Sequence, residues 1–188
     1  MGKRGSIFVI PVGKMIAMLY NISFLNKIKD FLIENCQTVS VAESVTSGYL
    51  QAAFSSAVDA TRFFQGGITA YNNGQKTRHL MVEPIHAEEC NCISEKVSAE
   101  MAIGSNRLFS SDYAIGITGY ANKPPGSGIS TLFAFLAIAK GHDVIFAKKL
   151  VSLKTSMVEV QLDYTNQALE LLSSHLQPGT QSPDTKSA

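Results

Sequence analysis

The chain has 188 residues, of which 45% are hydrophobic and 16% carry a charged side chain, and its formal net charge is +1. This composition predicts a folded domain with a full core and excludes a largely disordered chain. The near-neutral charge gives no reason to expect a nucleic-acid partner or a membrane surface.

The three cysteines, Cys36, Cys90 and Cys92, are an odd number, which excludes a complete disulfide framework. Cys90 and Cys92 lack the two-residue gap of a zinc or redox pair, so we expect buried thiols in a cytoplasmic protein. The histidines have no ligand spacing, and the sequence therefore predicts no metal site. They are His79, His86, His142 and His175.

Composition divides the chain into three parts. Residues 1–20 are expected to be a poorly specified extension, because the apolar run 7–12 contains Pro11 and no small-residue cleavage site follows it. Residues 21–176 are expected to form one domain, since no linker or internal repeat interrupts them. The polar, proline-containing tail 177–188 is expected to be mobile.

Helices and apolar strands alternate along the domain. The first predicted helix ends near residue 35, three others cover 49–54, about 76–80 and 156–175, and a further helix follows Ser94. The predicted strands cover 39–42, 67–71, 113–118, 131–138 and 144–149. The continuous apolar run at 113–118 is typical of a central strand covered on both faces. The order predicts a three-layer α/β/α sandwich with a mixed, mostly parallel sheet of about five strands and a late hairpin about Gly141.

The helix after Ser94 is predicted from its serine cap and from its apolar spacing. Along it, Val97, Met101 and Leu108 are expected to face the core, and Asn106 is expected to face water. The last helix is expected to bury Val160, Leu169 and Leu172.

The stretch 38–48 combines a buried strand with a cluster of small hydroxyl residues and a glycine, just before a helix. Open α/β sheets build ligand sites where a strand passes through such a turn into a helix. Ser44 lies at this turn, where its hydroxyl either caps the helix or attacks a substrate. The backbone N–H groups of Thr46, Ser47 and Gly48 are candidate donors to an oxyanion or a phosphate.

Four motifs follow one another along the chain. Residues 42–48 are Ala-Glu-Ser-Val-Thr-Ser-Gly, and 66–76 fit Gly-Gly-x-x-x-Tyr-x-Asn-x-x-Lys with Asn73 at the asparagine position. Residues 93–97 begin Ile-Ser-Glu, and 117–119 are Ile-Thr-Gly. Together they resemble the ordered motifs of the CinA C-terminal domain family of competence/damage-inducible proteins, over about residues 22–175.

Stand-alone members of that family are nicotinamide mononucleotide amidohydrolases, which release ammonia. The resemblance implies Ser44 as the nucleophile, with Lys76 and Tyr71 as its proton-handling partners. It also implies substrate contacts from Glu43, Thr46, Ser47, Gly48, Asn73, Thr118 and Gly119. It implies a small mononucleotide as the ligand, a homodimer, and no need for a metal or cofactor.

Several roles stay open at this stage. Tyr71 is expected to polarise the serine, relay a proton or stack on the pyridine ring. The alternative is a tyrosine at a strand end with its ring buried and its hydroxyl in water. Glu43 binds a ribose hydroxyl, pairs with Lys76 or serves as a structural carboxylate. Lys76 acts as a base only when neutral, so its pKa must lie below the ordinary value of about 10.4.

The chain departs from the family motifs at four places. Val45 replaces a cysteine, Ser47 replaces a glycine, and the loop 120–128 is shortened. An arginine expected before the last helix is missing, and Lys123 or Lys154 is the candidate replacement as a point charge. These departures motivate a second hypothesis, a catalytically degenerate nucleotide-binding or assembly protein.

Overall fold

The computed structural model describes residues 19–126 and 128–176. The predicted tail 177–188 and all but the last two residues of the predicted extension 1–20 therefore lie outside the described residues. The elements in chain order are α1 (Ile22–Glu34), β1 (Val39–Glu43), α2 (Tyr49–Ser55), a 3₁₀ turn (Ala60–Arg62), β2 (Phe64–Thr69), α3 (Asn73–Leu80), α4 (Pro84–Glu89), α5 (Glu95–Phe109), β3 (Tyr113–Gly119), β4 (Leu132–Lys140), β5 (Asp143–Ser152) and α6 (Met157–His175).

The five strands form one mixed sheet in the order β2-β1-β3-β4-β5. β1 is parallel to both of its neighbours, and β4 is antiparallel to both of its own. In the described sheet, four strands therefore run in one direction and β4 runs against them, as the alternating sequence pattern predicted. The carboxyl ends of β1, β2 and β3 consequently meet at one edge, where a ligand site is expected.

Helices cover both faces of this sheet, which confirms the predicted α/β architecture. On one face, α1, α2 and α6 enclose a core that includes Leu25, Phe54 and Leu172. On the other, α3 and α5 pack through Leu80 and Met101. The central strand β3 is buried along its first six residues, because helices lie above and below it.

The bounds of one strand differ clearly from the sequence prediction, and one helix was not predicted. β2 covers Phe64–Thr69 rather than 67–71, because its partner β1 ends at Glu43, opposite Thr69, and the edge strand has no other neighbour to pair with. The helix α4 was not predicted. It begins at Pro84, and the Glu83 carboxylate caps it by accepting from the backbone N–H groups at 85 and 86.

The inward face of α5 was predicted only in part. Ser94 caps the helix, and Val97 and Met101 are fully buried, as expected. Leu108, however, is 47% exposed, whereas Asn106 is 5% exposed. The prediction for Asn106 was wrong because its amide has partners inside: it donates to the Gly141 carbonyl oxygen at 2.8 Å and thereby supports the hairpin turn.

The cysteines are free thiols. The expectation that all three are buried was wrong for Cys36, which is exposed in the turn after α1, and Cys90 and Cys92 are half-buried. No helix within residues 19–126 and 128–176 combines the length and apolar character needed to cross a membrane.

The packing of α5 against the end of α3 predicts a large effect for one methyl group. A Cβ atom at Gly104 would overlap the carbonyl oxygen of Leu80, so we expect Gly104→Ala to lower the free energy of unfolding by about 1–3 kcal/mol. Gly74→Ala is the matched helical control, because a Cβ at Gly74 meets only the Asn72 side chain at 3.5 Å. It is expected to be neutral or to gain up to about 1 kcal/mol. Urea denaturation measures both, and equal stability of the two variants would contradict this packing.

Candidate active site

Ser44 and Lys76 are in direct contact at the carboxyl edge of the sheet. The Lys76 Nζ donates hydrogen bonds to Ser44 Oγ at 3.0 Å and to the Ala70 carbonyl oxygen at 2.9 Å. Lys76 is 1% exposed and Ser44 is 8% exposed. Among the ion pairs of the described residues, none involves Lys76. The amine is thus buried beside a hydroxyl without a compensating carboxylate.

Local structure explains why Lys76 turns inward. After β2 the chain enters α3, where the Asn72 side chain caps the helix by accepting from the Gln75 N–H at 3.0 Å. Lys76 lies one turn into this helix, and its backbone N–H donates to the Asn72 carbonyl oxygen at 3.1 Å. Helical side chains lean toward the helix N-terminus, so the Lys76 side chain leans toward the strand ends.

Burial changes the protonation of this lysine. Removal of Nζ from water lowers the pKa of Lys76 from the ordinary value of 10.5, and the neighbouring Cys92 opposes this shift. Burial also raises the pKa of the Cys92 thiol, which keeps a negative charge away from the amine. The neutral amine, which is the form that accepts a proton, is therefore favoured at Lys76 relative to a solvated lysine.

Glu43 has a structural position. Its carboxylate is fully buried and accepts from the backbone N–H groups of Gly48 at 3.0 Å, Leu50 at 3.1 Å and Gln51 at 2.9 Å, and from the Gln51 side chain at 3.1 Å. It neither pairs with Lys76 nor lines the cavity described below. The structural alternative for Glu43 thus agrees with the geometry, and the substrate-binding alternatives do not.

Because Glu43 satisfies the N–H groups at the start of α2, Ser44 has no capping role. The N-cap of α2 is Gly48, which has φ of 100° and no side-chain cap. Ser47 also has a positive φ of 50°, a conformation that costs a non-glycine residue free energy. The serine at position 47 is therefore accommodated with strain, although the sequence alone left this open.

The turn also changes which N–H groups are available. The Gly48 N–H is bound to Glu43, and the Ser47 N–H donates to the Ser44 carbonyl oxygen at 3.3 Å. Among the hydrogen bonds of the described residues, none has the N–H of Val45 or Thr46 as its donor. The predicted donors at 47 and 48 are thus already engaged. Val45 lines the cavity described below, so its N–H group becomes the candidate oxyanion donor, whereas Thr46 is fully buried.

A cavity of about 580 Å³ opens above the serine. Of the predicted site residues, its walls include Ser44, Tyr71, Asn73, Lys76, Thr118 and Gly119, and they do not include Glu43, Thr46, Ser47 or Gly48. The structure therefore brings together residues from the turn after β1, the segment between β2 and α3, α3 itself and the end of β3.

Tyr71 is on the cavity wall but not in the hydrogen-bonded pair. Its side chain is 70% exposed, and no hydrogen bond of the described residues joins its hydroxyl to Ser44 or Lys76. The geometry does not place Tyr71 as a proton-handling partner of Ser44 in this conformation. An exposed ring at the cavity wall instead matches the stacking alternative.

The remaining predicted wall residues also have structural contacts. Asn73 donates to the Pro84 carbonyl oxygen at 3.2 Å and so connects α3 to α4. Thr118 donates to the Cys92 carbonyl oxygen at 2.8 Å. Gly119 packs closely against β4, where a side chain would have no room.

Sequence reasoning missed one wall of the cavity. This wall comes from α4, the turn after it and the first residue of α6, and includes Glu88, Asn91, Cys92 and Met157. The loop that follows β3 continues it with Tyr120 and Asn122. The Asn91 amide donates to the Tyr120 hydroxyl at 3.2 Å, so the two segments support each other across the opening. The Glu-Pro pair before α4 was the available signal, because it starts a helix.

Within the described residues, no cluster of three or more His, Cys, Asp or Glu side chains has the geometry of a metal site.

Comparison with known sequences agrees with the motifs. A sequence model of the CinA C-terminal domain matches residues 22–176. A CinA-like protein of Solibacter usitatus is 32% identical over 147 residues, which are 77% of this chain and 34% of that protein. A CinA-like protein of Prochlorococcus marinus is 40% identical over 94 residues, which are 50% of this chain and 22% of that protein. The chain thus spans about a third or less of these relatives.

Comparison with solved structures extends the likeness to the fold. A CinA superfamily protein from Enterobacter cloacae has a TM-score of 0.78 at 21% identity and covers 94% of this chain and 100% of its own. A CinA superfamily protein from Escherichia coli has a TM-score of 0.71 at 25% identity and covers 90% of this chain and 95% of its own. The fold is therefore shared along nearly the whole domain.

The four hydrogen bonds at Glu43 predict a strong dependence of stability on its carboxylate. Glu43→Gln replaces one acceptor oxygen with a donor that faces other donors, so we expect the free energy of unfolding to fall by about 2–4 kcal/mol. Glu34→Gln, at the exposed end of α1, is the control and is expected to change stability by less than about 0.5 kcal/mol. Chemical denaturation distinguishes the two, and an unchanged midpoint for Glu43→Gln would show that Glu43 does not hold the turn.

Proposed function

The chain belongs to the CinA C-terminal domain family, as its motifs predicted, and on this premise we propose that it is an amidohydrolase that releases ammonia from nicotinamide mononucleotide. The observation that carries the proposal is the contact between the buried Lys76 amine and the Ser44 hydroxyl at 3.0 Å. A serine activated by a desolvated lysine is an established arrangement for acyl transfer.

In the proposed first half-reaction, the neutral Lys76 amine accepts the Ser44 hydroxyl proton while Oγ attacks the carboxamide carbon. The Ala70 carbonyl oxygen accepts one amine hydrogen, which holds the nitrogen beside Oγ. The tetrahedral oxyanion that forms is stabilised by the N–H group of Val45, which lines the cavity. Collapse of this intermediate breaks the C–N bond, and the Lys76 ammonium gives its proton to the departing nitrogen as ammonia leaves.

The second half-reaction removes the resulting ester from Ser44. Lys76, again neutral, accepts a proton from a water molecule that attacks the ester carbon. The second tetrahedral intermediate releases Ser44 Oγ, which takes the proton back from Lys76. The product is nicotinate mononucleotide, and both side chains return to their starting protonation states.

The same cavity supports a second candidate, a family member that binds the nucleotide without hydrolysing it. What favours it is the strained Ser47 and the position of Tyr71, whose 70% exposed ring makes no hydrogen bond to Ser44 or Lys76 in the described structure. Calorimetry separates the two functions: binding of nicotinamide mononucleotide by the native chain without ammonia release supports the second.

Substitution of the paired residues tests the mechanism. Ser44→Ala is expected to lower the rate of ammonia release by at least about 10³-fold, and Lys76→Met by about 10²–10⁴-fold, because each removes a reacting group. Ser55→Ala and Lys148→Met are exposed controls outside the cavity and are expected to keep native rates. An ammonia-coupled assay measures all four, and native turnover by Ser44→Ala would remove Ser44 from the mechanism.

The lowered pKa of Lys76 fixes the direction of the pH dependence. Below its pKa the side chain is an ammonium and accepts no proton, so kcat/KM is expected to rise with pH as the amine becomes neutral. Because burial lowers this pKa, the midpoint of the rise should fall below 10.5. A kcat/KM that does not change with pH below 10.5, or that rises only at or above pH 10.5, would contradict Lys76 as the base.

A further inference from the structure

The side chains around the Ser44 cavity have an unbalanced charge. Of the residues that line it, all of them in the described part of the chain, Lys76 is the one lysine or arginine and Glu88 is the one aspartate or glutamate. Burial favours the neutral amine at Lys76. Glu88, in contrast, is exposed to solvent in the last turn of α4. With a neutral Lys76, the Glu88 carboxylate is the charge that a ligand meets.

The carboxylate of Glu88 has no protein cation beside it. The other acidic residues of this region have partners: Glu83 caps α4, and Glu100 pairs with Lys96 at 3.8 Å. No ion pair within residues 19–126 and 128–176 uses Glu88. The neighbour that acts electrostatically on the Lys76 amine is Cys92 rather than Glu88. The carboxylate is therefore available to a ligand.

An aromatic ring and this carboxylate line the same cavity. The Tyr71 ring is 70% exposed at the cavity wall. Two residues later, Asn73 begins α3, and its amide donates to the carbonyl oxygen of Pro84, the first residue of α4, at 3.2 Å. This bond connects the segment that carries Tyr71 to the helix that carries Glu88. An accessible aromatic face and a carboxylate both attract an organic cation, the first through its quadrupole and the second through its charge.

From these observations we propose that the cavity selects carboxamides whose ring carries a positive charge, and that Glu88 and Tyr71 recognise this charge. The inference rests on the proposed function. The ring nitrogen of nicotinamide mononucleotide is bonded to the ribose, which gives the ring a fixed positive charge that other small carboxamides lack. Glu88 is then a specificity-determining residue: it attracts the ring, whereas Ser44 and Lys76 carry out the reaction.

Binding to the full-length Ser44→Ala chain tests this preference without turnover. Nicotinamide mononucleotide and its reduced, dihydropyridine form share the carboxamide, the ribose and the phosphate, and only the oxidised form has a charged ring. We expect calorimetry to show the oxidised form binding at least about tenfold more tightly, with the preference falling as salt is added. Adding Glu88→Gln should lower the preference at least about threefold and leave the affinity for the reduced form unchanged.

The same two ligands test the aromatic ring. Tyr71→Leu keeps an apolar side chain but removes the quadrupole, so we expect it to lower the preference for the oxidised form at least about twofold. An equal loss of affinity for the two forms would overturn the role of the Tyr71 ring in recognising the charge.

Glu89→Gln is the matched control for Glu88→Gln, because Glu89 is an exposed neighbour in the same helical turn and does not line the cavity. It should keep the full preference. Equal affinity for the two forms, no binding of either, or a preference that survives Glu88→Gln would each overturn the proposal. A parallel weakening of both forms by Glu88→Gln would also overturn it, since Glu88 would then act on the fold. If the native chain released no ammonia, hydrolysis would fail as a function, yet the preference for a charged ring would remain measurable.

Discussion

The Lys76 amine lies against Ser44 Oγ with its side chain 1% exposed, and no carboxylate of the described chain forms an ion pair with it. Burying a charge without a partner is costly, so such a group favours its neutral form. The proposed chemistry depends on this constraint, because only a neutral amine can accept a proton from Ser44. The short helix α3, capped by Asn72, is what holds the amine in this position.

Glu43, the last residue of β1, and Ser44, the next residue, have different contacts in the turn. Glu43 accepts the N–H groups at the start of α2, and Ser44 is thereby left to contact Lys76. The parallel pairing of β1 with β2 and β3 brings their carboxyl ends to one edge, so Ala70 and Thr118 flank the same serine. The positions of the Glu43 carboxylate and the Ser44 hydroxyl thus depend on each other through the backbone between them.

The strand-turn-helix order and the mixed sheet follow from patterns present in the sequence. The contact between residues 44 and 76 agrees with the pairing that the resemblance to the CinA family implied, but no sequence pattern shows it. What the sequence did not reveal depends on partners distant along the chain. From the sequence alone, Glu43 could be a ligand-binding group, and only the structure reveals its four N–H donors. Likewise, the sequence suggests a solvated amide at Asn106, and only the structure places the Gly141 carbonyl oxygen beside it. The wall from α4 was missed because its helix is short and its cavity-lining residues, such as Cys92, are not part of any motif.

The most direct test of this account is an NMR titration of the chain with isotope-labelled lysine side chains, with the Lys76 signal assigned by its loss in Lys76→Met. The account predicts that this signal titrates at a pH clearly below 10.5, because burial lowers the pKa of Lys76. A Lys76 signal that titrates at or above 10.5 would show that the buried side chain remains an ammonium. In that case it could not serve as the base for Ser44.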